Sequence, residues 1–136
     1  MKYNELIELA IYARDNSTYT PYSKFKVGAA VEMEDGSTYS GGNIEIASYS
    51  PTNCAERTAI FKAVSEGKRK IKRIAVVGDN DYTYPCGVCR QVIREFGENP
   101  EIIIANTTED YRVYKLEDLL PHSFGPEDLK EVKQDV

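Results

Sequence analysis

The sequence predicts an α/β fold, a mixed five-stranded sheet flanked by helices. Two short apolar runs, "IAVVGD" (74–79) and "EIIIAN" (101–106), show no polar alternation, the signature of strands covered on both faces. A helical stretch precedes each of them, closed by Gly67 and Gly97 respectively. Residues 25–46 read instead as an antiparallel hairpin, so the element order α-β-β-α-β-α-β-β-α calls for a mixed sheet.

Each element has its own local cause. Residues 4–15 place Leu6, Ile7, Ala10 and Ala13 at the spacing of a helix with one buried face. "NSTYTPYS" then breaks the pattern with Pro21 and small polar groups, a loop. From Phe25, the residues Val27, Ala29, Val31 and Met33 alternate with mostly small or polar neighbours, which predicts a strand. "EDG" (34–36) turns the chain into a partner strand, "STYSGGNIEI". The second helix runs from about Asn53 to Glu66, with Ala59, Ile60, Ala63 and Val64 inward. The third spans about Cys86 to Phe96, and "YRVYK" (111–115) is an edge strand. The tail "LEDLLPHSFGPEDLKEVKQDV" predicts a short helix, a turn at Phe124–Pro126 and a polar end.

With 136 residues and no repeat or linker, one domain over 1–136 is expected. No apolar run approaches bilayer length, and "MKYNELIELA" lacks the apolar core of a signal peptide, so no membrane partner and a cytoplasmic location are expected. A net charge of −5 argues against nucleic acid as a partner. The dense cationic run "GKRKIKR" (67–73) fits the solvated end of a helix, where cations are favoured. Three cysteines, an odd number, argue against a disulfide framework and for metal or catalytic use.

All three fall at predicted helix starts. Cys86 and Cys89 form C-x-x-C, a spacing that lets two thiolates bite one ion, and Cys54 lies 32 residues earlier across one helix and one strand. Helix N-termini lower thiol pKa and favour the thiolate that zinc binds. Three protein ligands leave a fourth position open, as in catalytic zinc sites, and an Fe–S cluster would call for a fourth cysteine. Each residue has a plainer alternative. Cys54 could be buried packing, the C-x-x-C a redox pair, and Glu56, three after Asn53, the partner in a capping box. His122 could close the site as a fourth ligand. Chance placement of thiols at both helix starts, with a carboxylate two residues after one of them, is the weaker account.

"NCAERTA" (53–59) with "PCGVCRQ" (85–91) resembles the cytidine deaminase family of small zinc hydrolases. The likeness extends from "YTPYSKFKVGAA" (19–30) through "GGNIEIASY" (41–49) to "LLPHSFGPEDL" (119–129). It implies a three-layer cytidine-deaminase-like fold and one zinc per chain, held by Cys54, Cys86 and Cys89. It also implies hydrolysis of cytidine or deoxycytidine to the uracil nucleoside and ammonia, a step of pyrimidine salvage. In that family zinc activates the attacking water, and the residue matching Glu56 shuttles its proton to N3 and then to the departing amine. Three thiolates leave the centre anionic. In the three-cysteine group the arginine matching Arg57 donates to the ligand sulfurs and withdraws charge.

Substrate contacts follow from the same resemblance. Residues matching Asn43 and Glu45 bind the sugar hydroxyls, the main-chain N–H matching Ala55 reads the base, and Phe25 packs near the substrate. Gly41–Gly42 ahead of Asn43 would allow close backbone approach to a ligand. A carboxylate at the sugar repels phosphate, which favours a nucleoside over a nucleotide. The resemblance further implies a homotetramer with composite sites. There Phe124 covers a neighbour's base and Tyr49 approaches the 5′-hydroxyl from an adjacent chain; locally, Phe124 could instead plug its own helix. "SPTN" (50–53) departs from the family, where a glycine and an apolar residue are more usual. Competing readings are a non-catalytic zinc module touching RNA, and a deaminase of nucleotides, polynucleotides or a cytosine-containing antibiotic.

Overall fold

A computed structural model describes residues 1–129. The elements are α1 (Tyr3–Asn16), β1 (Val27–Met33), β2 (Thr38–Gly42), α2 (Ala55–Ser65), β3 (Ile71–Gly78), α3 (Gly87–Phe96), β4 (Glu101–Ala105), β5 (Tyr111–Lys115), α4 (Leu116–Leu119) and a final 3-10 turn, Pro126–Leu129. The polar end expected beyond it, residues 130–136, lies outside the described residues. The sheet order is β2-β1-β3-β4-β5. Only β3 and β4 run parallel, joined by the α3 crossover; the other neighbours are antiparallel. The expected mixed sheet is therefore present, in three layers.

One face is covered by α1, whose Leu6, Ile7 and Ala10 pack on Ala30, Ala75, Val77 and Ile103. On the other, Ala59, Ile60 and Ala63 of α2 and Ile93 of α3 meet Val31, Met33, Ile74, Val76, Ile102 and Ile104. Burying each of these larger side chains contributes about 1.5–3 kcal/mol. The alternation along β1 has a different cause from the one its pattern suggests. Every residue from 28 to 33 is buried, and the small even-numbered ones lie under α1 rather than facing water. Among them Glu32 is held by Arg73 at 3.1 Å.

The register brings the site segments to one sheet end. Val27 pairs with Gly78 and Gly28 with Gly42, so Phe25, Asn43 and the chain leaving β3 emerge side by side. This is the carboxyl end of the parallel pair, the position where open α/β sheets bind ligands. The partner strand is shorter than its sequence suggests. β2 ends at Gly42, and Ile44 continues only as isolated bridges to Tyr19 and Asn53. Gly41 and Gly42 do allow a close approach, but of helices, not of a ligand. A Cβ on Gly41 would sit 2.6 Å from the Thr58 side chain, and one on Gly42 2.6 Å from the Ser17 carbonyl.

Candidate active site

The two helix starts face each other as their sequences suggest. Cys54 is the N-cap of α2 and Cys86 the N-cap of α3, with Cys89 one turn in. The Cys54 and Cys86 sulfurs are 3.8 Å apart, and all three Sγ atoms lie within 4.8 Å of one another. A tetrahedral zinc about 2.3 Å from each sulfur spaces its ligands by about 3.8 Å, so the cluster fits the ion. The Cys89 N–H also points at the Cys86 sulfur at 3.5 Å, in the way helix starts stabilise anions. All three cysteines are free, and joining the third to the pair argues against a simple redox motif.

Charge in the cluster is already arranged. A hydrogen bond from Cys89, with help from Arg57, brings the Cys54 thiol down to about 5. Cys89, as the donor in that bond and buried as well, is pushed up. Arg57 Nη2 donates to Cys54 Sγ at 3.3 Å, and this bond raises the guanidinium's pKa. Its buried Nε has no hydrogen-bond partner among the described residues. The arginine thus faces the sulfurs from the first turn of α2, where the helix dipole alone disfavours a cation. Replacing it with Gln removes a cause of the low Cys54 pKa. Because metal binds thiolate, the pH of half-maximal zinc uptake moves upward in Arg57→Gln, with the onset of activity following. A chelator competition run across pH measures this, and an unmoved half-point would remove Arg57 from charge tuning.

Glu56 is not a cap. Since Cys54 is the N-cap, Glu56 stands at the second helical position, and the Asn53 amide donates instead to the Thr58 hydroxyl at 3.1 Å. Glu56 is 4% exposed. Burial, against the hydrogen bond from its own N–H and with the Cys54 thiolate adding to it, pushes its pKa up to about 7. That is the range in which a carboxylate exchanges protons at neutral pH.

His122 stands apart from the thiols. It lines a hollow of about 390 Å³ with Arg94, Glu98, Leu116 and Leu120, and it is absent from the three-thiol group. Folded His122→Ala chains are expected to hold one zinc each and keep nearly full turnover. Loss of the metal in elemental analysis would make the site a closed, four-ligand one.

Around this centre the remaining residues arrive from several elements. Ala55 is the first residue of α2, and the leading N–H groups of a helix have no partner within it. The segment 43–45 is bonded on both sides. Tyr19 N–H donates to the Asn43 carbonyl (3.0 Å) and Glu45 N–H to Tyr19 (2.8 Å), while Ile44 and Asn53 exchange a pair of bonds at 2.9 Å. Asn53 precedes Cys54, so this ladder ties the Asn43–Glu45 pair to the metal helix. The Asn43 amide spans Phe25 and Val27, donating to the Phe25 carbonyl and accepting from the Val27 N–H, both at 3.0 Å. Glu45 accepts from the N–H groups of Tyr22 (3.0 Å) and Ser23 (3.1 Å) and from the Ser23 hydroxyl. The hydroxyl contributes most to lowering its pKa, so the group stays an ionised acceptor. Sequence reasoning missed Ser23, whose only signal was a place in a small-polar loop.

The Ser50–Asn53 loop closes through its own polar groups. The Thr52 hydroxyl accepts from Ile46 N–H at 3.0 Å, and Thr52 N–H donates to the Tyr49 carbonyl at 2.8 Å. Tyr49 takes a left-handed conformation (φ 63°) and is 77% exposed. Phe124 is 58% exposed, its carbonyl held by the Gln91 amide of α3. Neither ring is gathered into the thiol cluster within one chain.

Comparison with known proteins agrees with this arrangement. Residues 1–106 match the family described as "Cytidine and deoxycytidylate deaminase zinc-binding region". A cytidine deaminase of Halalkalibacterium halodurans is 48% identical over 128 residues, 93% of this chain and 96% of that one. One from Sporosarcina psychrophila is 50% identical over 132 residues, 95% and 96% of the two chains. The crystal structure of cytidine deaminase from Burkholderia pseudomallei superposes with a TM-score of 0.86 at 47% identity, covering 91% of this chain and all of that one (100%). That from Mycobacterium tuberculosis gives 0.79 at 36% identity, over 92% and 98%. With three thiols gathered at facing helix starts and a buried glutamate beside them, this chain belongs to the cytidine and deoxycytidylate deaminase family.

Proposed function

We propose that the protein hydrolyses cytidine and deoxycytidine to uridine and deoxyuridine, releasing ammonia, with zinc held by Cys54, Cys86 and Cys89. The observation that carries the proposal is the buried Glu56 next to three thiols that match zinc's ligand spacing. When bound, the metal supplies a Lewis acid that acidifies a water for attack on C4 of the base. With the metal bound, Glu56 would take one proton from the attacking water and place it on N3. It would then take the remaining O–H proton from the oxygen added at C4 and hand it to N4 as the C4–N4 bond breaks. Its raised pKa suits both directions of transfer. Arg57 withdraws charge from Cys54, and the N–H of Ala55 donates to the base. Glu45 and Asn43 receive the sugar at the sheet end, beside the Phe25 ring. Ser23 keeps Glu45 ionised and oriented, so the site accepts hydroxyl donors and repels phosphate.

The working form is a homotetramer of single-domain chains, located in the cytoplasm and serving pyrimidine salvage. The exposed Cys86, Tyr49 and Phe124 support this reading, since a second chain can cover the thiols and bury both rings. The test is one experiment on one sample. Absorbance loss is followed with cytidine, deoxycytidine, CMP and single-stranded DNA, alongside elemental analysis. Turnover of both nucleosides with one zinc per chain is expected. Preference for CMP or DNA, or turnover without metal, would overturn the proposal.

A further inference from the structure

Phe124 is an exposed aromatic ring on a chain segment whose backbone is firmly held. The Gln91 amide donates to the Phe124 carbonyl at 2.7 Å. Arg94 Nε donates to the Ser123 hydroxyl at 2.9 Å, and the same guanidinium pairs with the Glu127 carboxylate. Between these anchors sits Gly125, buried beneath the guanidinium. A Cβ there would fall 2.3 Å from Arg94 Cζ and 2.5 Å from both Nη atoms. Gly125 N–H in turn donates to Asp128 at 2.8 Å. The segment is thus clamped on both sides of Phe124 by polar contacts, while Phe124 itself is 58% exposed.

The anchors share a helix with the metal ligands. Gln91 and Arg94 are three apart, hence on one face of α3, whose first turn carries Cys86 and Cys89. From Cys89 to Arg94 the helix rises about 7.5 Å. We propose that Gln91 and Arg94 are positioning residues for Phe124, docking the 123–127 turn on α3 so that its ring projects outward at a set height above the thiols. The proposal rests on the reading of Phe124 as the cover of a nucleoside base, and adds that the cover is aimed by these two side chains. A Cβ at Gly125 would push the Arg94 guanidinium aside from the turn.

A double-mutant cycle separates aiming from general support. Gln91→Ala, Arg94→Ala and Phe124→Ala are made singly, and each anchor variant is also combined with Phe124→Ala. Zinc content and oligomeric state are checked on every sample. With Phe124 present, kcat/KM for cytidine is expected to fall about fivefold in Gln91→Ala and about tenfold in Arg94→Ala, the range for neutral and charge-assisted hydrogen bonds. With Phe124 already Ala, each is expected to change the weak residual kcat/KM, read at high enzyme concentration over long incubation, by less than about twofold, since residues acting through one another are not additive. If Arg94→Ala loses zinc or fails to fold, the exposed Gln91, which contributes a single bond, decides the matter alone. Equal losses in both backgrounds, or no loss from the anchors where Phe124→Ala is costly, would overturn the positioning role and leave the Phe124 reading standing. A harmless Phe124→Ala would sink that reading first, and the inference with it.

Discussion

Glu56→Gln is expected to fold, hold one zinc, bind nucleoside, and turn over at least ~100-fold more slowly than the parent, the low end for lost acid–base catalysis. The amide fills the same volume in a site only 4% exposed but cannot carry a proton. A second readout distinguishes chemistry from packing. Burial raises the Glu56 pKa to about 7 from an ordinary 4.5, so between these values the folded chain binds more protons than the unfolded one. Stability contributed by the neutral carboxyl is therefore lost as pH rises through that window. Metal-free Glu56→Gln should melt higher than the metal-free parent at pH 8, with the gap closing towards pH 4.5. A group that destabilises the fold at working pH is kept for its chemistry. Near-normal turnover of the variant, measured by absorbance loss, would leave Glu56 without a catalytic role.

Mixing two inactive chains is expected to restore activity. A Glu56→Gln chain keeps Phe124, and a Phe124→Ala chain keeps Glu56; if the sites are composite, as proposed, a site with native Glu56 in a mixed tetramer can borrow Phe124 from its neighbour. Chains are unfolded together, refolded and assayed beside the unmixed controls, with native mass spectrometry confirming mixed assemblies. Recovery from near zero to a sizeable fraction of parental turnover is the expected result. The physical ground is exposure. Phe124 is 58% and Tyr49 77% exposed in one chain, although each belongs to a segment held by hydrogen bonds. No recovery from confirmed mixed tetramers, with Phe124→Ala alone inactive, would mean that each chain roofs its own site.

The two predictions draw on different depths of the molecule, and so did their legibility. Helix spans, the hairpin and the covered strands were readable because period and capping are local, and observed boundaries differ from expected ones by a few residues. The thiols at helix starts were readable for the same reason: a cysteine's place in a first turn is set by its immediate neighbours. Cys54, Glu56, Cys86 and Cys89 therefore stand out in the sequence itself, whereas Arg57 takes its role from the family resemblance. The role of Asn53 as a cap did not survive, because one residue of shift at the helix start moved Glu56 off the capping position.

What no local pattern carries is which distant segment meets which. Gly41 and Gly42 announce a close approach in sequence, yet only packing identifies the neighbours as α2 and the end of α1. The small even positions of β1 resemble solvent-facing ones, because a helix lying tightly on a strand asks for the same small side chains that exposure tolerates. Ser23 on Glu45, Tyr19 and Asn53 flanking Ile44, and Gln91 with Arg94 on the Phe124 turn are contacts across 9 to 33 residues of chain. The sequence by itself determined the elements and the chemistry at their ends. The sheet register, a long-range hydrogen-bond pattern, decided that those ends converge, and with them the carboxylate, the thiols and the held but uncovered ring.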